Sequence, residues 1–224
     1  VLIQPIIYFF MKKFLLIAAM VVSTVAASAQ NEQGGFSLKP MAGISITNLT
    51  NLGGSSFKPG FVGGIEAEYG ATKNFGVALG LVFNMQGAKR EFNASVAPGL
   101  DVKTKYTANL NYLNIPVLAK FYVIPGLAIQ AGIQPGFLLS AKEKYDGKVY
   151  VGNQVGAEDE TIDIKDICKT FDFSIPVGLT YEMGGLVLDA RYNIGVTNVN
   201  KYTEGNSNSK NSVFAITLGY RFSL

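Results

Sequence analysis

The sequence has no histidine, no tryptophan and a single cysteine in 224 residues. Without imidazole there is no Ser-His-Asp or Cys-His catalysis and no histidine metal site. Cys168 alone cannot form an intrachain disulfide, a CxxC redox pair or a thiolate zinc cage. Charge is sparse too. Only 16% of residues are charged, against about 25% in ordinary soluble domains. A net charge of +3 with no basic stripe argues against a nucleic-acid partner. No Gly-rich phosphate loop occurs, and the carboxylates of 141–169 lack the Asp-x-Asp-x-Asp-Gly order of a calcium loop. The expectation is a non-enzymatic chain with no catalytic, cofactor-binding or metal residues.

What is plentiful is glycine (25), phenylalanine (15), tyrosine (11) and apolar residues generally, at 48%. The first such stretch is a leader. Met11–Lys13 is a short cationic start, Phe14 to Val25 is apolar without charge, and Ala27, Ser28 and Ala29 offer the small residues that signal peptidase needs. Cleavage is expected between Ala29 and Gln30, giving an upstream extension and signal peptide at 1–29 and one domain at 30–224. The apolar run is shorter than the roughly 20 residues of a spanning helix. Removing 1–29 takes away Lys12 and Lys13 and no other charge, so +3 becomes +1.

The remainder repeats one pattern, a residue-by-residue alternation of apolar with small or polar. Leu186, Leu188, Ala190, Tyr192, Ile194 and Val196 share one face, and Asp189, Arg191, Asn193 and Gly195 share the other. Eight such segments fall near 36–47, 59–70, 75–87, 104–122, 126–140, 170–182, 186–198 and 211–222. Tight connections at 71–74, 123–125 and 183–185 alternate with long polar ones at 48–58, 88–103, 141–169 and 199–210. Such a meander predicts an all-β fold, an eight-stranded antiparallel up-and-down transmembrane β-barrel behind a cleaved signal peptide.

The large apolar residues are expected to face lipid, leaving glycine, small polar residues and charge for a narrow interior. Aromatics near the tight turns (Tyr69, Phe75, Phe121, Tyr122, Tyr181, Tyr220 and Phe222) predict one interfacial girdle. Strand phase points eight charges inward near the short-turn end: Lys39, Glu66, Glu68, Lys120, Glu182, Asp189, Arg191 and Arg221. Four cations against four anions predict a structural ion-pair network that plugs the lumen, because an unpaired ion there carries a large desolvation cost. The alternative is an exported soluble barrel carrying a small apolar ligand, which would need a roomy apolar interior.

Three stretches carry a family resemblance. Asn111 to Lys120 (NYLNIPVLAK) resembles the YL.IP.L.K strand of the PorT-like outer-membrane β-barrel family, and Gly185 to Gly195 (GLVLDARYNIG) its R-Y-x-x-G strand. Gly219, Tyr220, Arg221 and Phe222 resemble the closing strand read by outer-membrane assembly machinery. The resemblance implies a small OmpX- or OmpA-like barrel in the outer membrane of a Gram-negative bacterium. The partners it implies are outer-membrane lipid, the barrel assembly machinery and, for some members, a secretion-system or surface protein. Function would reside in the long extracellular loops.

Overall fold

The computed structural model describes residues 34–51, 53–97, 100–151, 154–202 and 208–224. The expected leader and its Ala29–Gln30 cleavage point lie outside these residues. The described chain is almost entirely strand: β1 (Phe36–Leu49), β2 (Ser55–Ser56), β3 (Lys58–Gly70), β4 (Phe75–Ala97), β5 (Leu100–Asn114), β6 (Val117–Ile124), β7 (Leu127–Val151), β8 (Gln154–Asp163), β9 (Phe171–Met183), β10 (Leu186–Asn198), β11 (Lys210–Tyr220) and β12 (Phe222–Ser223).

Each strand pairs antiparallel with its neighbours, and the sheet closes on itself. β11 pairs with β1 from Met41 opposite Gly219 to Leu49 opposite Asn211. Closure satisfies every edge of the ring, the condition for a sheet to cross a bilayer. Eight staves result, because β5 and β6 are one stave broken at Ile115 and Pro116, and β12 continues β11. Pro116 has no N–H to give the ladder. Its carbonyl still accepts from the Gly80 N–H (2.8 Å), so the sheet runs on across the break.

The tight turns lie at one end. Gly184 and Gly185 make one of them between Met183 and Leu186, with φ of 58° and 85°, a conformation that side chains resist. In outer-membrane barrels such turns face the periplasm and the long connections face outward. Alternation then sets the two faces. Ile44, Phe61, Leu79, Ile129, Leu179, Leu188 and Leu218, one from each of seven staves, are 48–62% exposed on the outside. No helix among the described residues is long and apolar enough to cross a membrane.

Two long connections expected to be loops are largely strand among their described residues, 88–97 and 100–103 in the first and 141–151 and 154–163 in the second. β4 has 23 residues and β7 has 25, whereas about 9–11 suffice to span. Their upper halves, with β5 and β8, form a four-stranded sheet that rises out of the barrel, and β2 adds to β4 at Ser55 and Ser56. Segments 88–103 and 141–163 lacked an apolar face, so their alternation gave no contrast in hydropathy.

Candidate functional site

Three layers fill the barrel interior. At the periplasmic end lie the eight inward charges. Lys39 Nζ is 2.7 Å from Glu66 Oε2 and 3.5 Å from Asp189 Oδ2. Arg191 reaches Glu66 at 2.8 Å and Asp189 at 3.0 Å. Lys120 lies 2.7 Å from Glu68 and 3.9 Å from Glu66. Arg221 joins Glu68 and Glu182, both at 2.6 Å. All eight therefore form one connected set. Glu66 and Lys120 are each only 1% exposed, and Glu182, whose side chain is 11% exposed, is the outermost.

Neutral side chains complete it. The Asp189 carboxylate also accepts from Gln130 Nε2 (2.8 Å) and Thr180 Oγ1 (3.0 Å). The Tyr122 hydroxyl accepts from Arg221 Nη2 at 2.9 Å and lies 2.7 Å from Glu68 Oε1, to which it donates. This corrects the placement of Tyr122 in the lipid girdle. Phe121 and Tyr122 are adjacent, so the pleat cannot turn both outward. Phe121 takes the lipid side at 48% exposed, while Tyr122 is 5% exposed and shares the inward face with Lys120. Counting two residues on from Lys120 would have found it.

Above the charges sit Met41, Val62, Val82 and Ala215, packed as a cluster. Amides and hydroxyls bridge the same level: Ser45 Oγ donates to Asn84 Oδ1 at 2.9 Å, and Gln134 Nε2 to Ser174 Oγ at 3.1 Å. The cavity among these groups holds about 20 Å³, room for a single water. A drug-sized ligand needs about 300 Å³ or more.

At the outer end, Leu49, Ala88, Leu110, Tyr112, Leu138, Ala141, Cys168 and Val199 form a second apolar cluster. The lumen is thus not lined by small and polar residues alone, as the sequence suggested. Two connections close over this cluster. The Lys169 N–H donates to Val199 O (2.7 Å) and the Lys201 N–H to Ile167 O (2.9 Å), tying 165–169 to 199–201. Cys168 is 2% exposed, and burial pushes its thiol above the ordinary value. An aqueous thiol reagent should leave the folded protein unlabelled while fully labelling the unfolded chain. Rapid labelling of the folded form would show that the cap opens.

Outside the mouth, the sheet face continuous with the lipid face is a charge zipper. Lys144 Nζ lies 2.6 Å from Asp146 Oδ1 and 3.8 Å from Asp159 Oδ2, and Lys105 lies 3.8 Å from Glu91. The hydrogen bond from Lys144 holds the Asp146 carboxyl below its ordinary value, and its return raises Lys144. The pairing, between two residues of β7, therefore favours the folded strand above the usual aspartate range of about 3.9 and loses that support as pH falls through the lowered value. Carboxyl NMR should show Asp146 titrating below the ordinary aspartate value, with Lys144→Gln abolishing the difference.

Residues 28–201 match the family model described as "Outer membrane protein beta-barrel domain". No functionally curated protein matches. Among solved structures, the attachment invasion locus protein Ail of Yersinia pestis is 17% identical, covering 85% of this chain and 100% of its own, with a TM-score of 0.40. Neisserial surface protein A is 14% identical over 84% of this chain and 97% of its own, with a TM-score of 0.42. AlkL, solved in DMPC lipid bilayers, is 14% identical over 89% and 94%, with a TM-score of 0.36. With the family match spanning most of the sequence and the strands closing into a ring, this chain belongs to the outer-membrane β-barrel domain family.

Proposed function

We propose that this protein is a closed, non-enzymatic barrel whose task is to hold a binding sheet outside the cell. One observation carries the reading: the interior is filled from the charge layer to the apolar cap, while β4, β5, β7 and β8 continue past the barrel as an ordered platform. In this reading the eight lumen charges are structural, a plug that fixes strand register. The chain has no histidine for acid-base work.

The resemblance to the PorT-like family extends the proposal to service of a secretion complex or another surface protein. Removal of 1–29, with Gln30 as the first mature residue, and insertion by the barrel assembly machinery belong to the same reading. The test is electrical. In planar bilayers the purified full chain should give no steady conductance, although it shifts in gel mobility on heating as a folded barrel does. A large, stable single-channel conductance from heat-modifiable protein would sink the plug and the display role together.

A further inference from the structure

The two faces of the protruding sheet differ. Lysines and aspartates pair off on the outer face, as described above. On the inner face, which continues the lumen, strand register sets side chains in rows: Ala88, Ala108, Glu143, Ile162; then Arg90, Tyr106, Tyr145, Glu160; then Phe92, Thr104, Gly147, Glu158. An aromatic strip thus crosses β4, β5 and β7, beside an open hollow of about 510 Å³. Three carboxylates flank the strip on the β7–β8 side. Among the described residues, none of Glu143, Glu158 and Glu160 has an ion-pair partner. Among the described residues of this sheet the one inner-face cation, Arg90, sits at the far side over the Phe92 ring, 5.2 Å from its centroid.

Gly147 shapes the platform. A Cβ there would stand 2.7 Å from the Tyr145 hydroxyl oxygen, so the ring lies across the bare glycine toward the row of Glu158. It also meets the Tyr106 ring edge-on at 5.3 Å. An aromatic ring beside carboxylates attracts a cation by both its quadrupole and their charge. β8 borders the platform, and among the described residues it pairs with β7 alone, leaving its other edge unpaired.

We propose that this edge and face dock one kind of partner: an extended polypeptide segment rich in lysine and arginine, added to β8 as a further strand. The inference rests on the display role proposed above and names the chemistry of its partner. Strand addition supplies main-chain hydrogen bonds, and alternate side chains supply selectivity. Alternate residues of the guest would meet Glu158 and Glu160 on the inner face and Asp159 and Asp163 on the outer, so basic residues of either phase are matched. The same charges exclude a second copy of this chain, because β8 against β8 would oppose carboxylate with carboxylate.

The full chain in nanodiscs of zwitterionic lipid is titrated with three labelled peptides. One alternates lysine with valine, one replaces each lysine by glutamate, and one is the lysine peptide N-methylated at every second residue. The lysine peptide should bind, more weakly as salt rises, and the other two should not. Glu158→Gln with Glu160→Gln should weaken it about tenfold, the loss of two part-exposed ion pairs, and Tyr145→Leu about threefold. Lys105→Gln, on the outer face of β5 and away from β8, should leave binding unweakened, and heat-modifiable mobility verifies that each variant is folded. No binding of the lysine peptide, equal binding of the N-methylated peptide, or full binding by the Gln variants would overturn the proposal. Binding of the glutamate peptide instead would overturn the partner's chemistry and leave the display role standing, whereas steady conductance overturns the display role itself.

Discussion

Glu66→Gln should be the most damaging conservative substitution in the barrel, costing about 3–5 kcal/mol of unfolding free energy, the usual penalty for removing one partner of a buried ion pair. Glu66 is 1% exposed and is the carboxylate shared by Lys39, Lys120 and Arg191, at 2.7, 3.9 and 2.8 Å. The amide keeps the volume and removes the charge, so three cations then share Asp189 and Glu68. A water is a poor substitute for the lost anion, because Glu66 and Lys120 are each 1% exposed and the cavity beside Arg191 and Asp189 holds only about 20 Å³. Glu182→Gln supplies the scale. Its side chain is 11% exposed and Arg221 keeps Glu68, so it should cost about 1 kcal/mol, as part-exposed pairs do. Urea unfolding in lipid vesicles checks the order. Equal losses for the two variants, or a loss below about 1 kcal/mol for Glu66→Gln, would mean that the network is not tightly coupled.

The connected set also shows what alternation can reveal. Leu188 and Asp189 are neighbours with opposite fates, and where such contrast exists the inward and outward faces can be counted along the chain. The eight staves, the tight turns and the lipid face were all legible on that basis. The contrast fails beyond the mouth. There Lys142, Lys144 and Lys148 alternate with Glu143, Tyr145 and Gly147, and neither face is apolar, so an ordered hairpin resembled a solvated loop. The apolar cap was hidden for another reason. Leu110 and Leu138 share the inward phase of Tyr112 and Gln134, but what closes over them is Cys168 and Val199, from two distant connections. Such a contact is set by ring closure and leaves no local periodic trace.

The second large effect concerns the lipid face. Ile216 stands on β11 halfway between Tyr220, near the tight turns, and Ser212, near the outer rim, and faces outward at 40% exposed. Its neighbours in register are Ile44 on β1 and Ala190 on β10, neither of which can pair with a charge. Ile216→Arg should therefore cost about 2–4 kcal/mol, the figure for arginine at the bilayer midplane of such barrels. Leu218→Arg, one outward step nearer Tyr220, should cost less, because a long side chain there reaches the interface. Thr217 lies between them on the same strand but points inward, 4% exposed, with its hydroxyl 3.6 Å from Met41 Sδ. Thr217→Ser keeps that hydroxyl and removes one methyl, so it should cost no more than about 1 kcal/mol. Depth and face thus make separate predictions along three consecutive residues. If Ile216→Arg were no worse than Thr217→Ser in lipid vesicles, the outer face would not be meeting hydrocarbon, whereas a steep fall from Ile216 to Leu218 would place the bilayer against β11 to within one pleat.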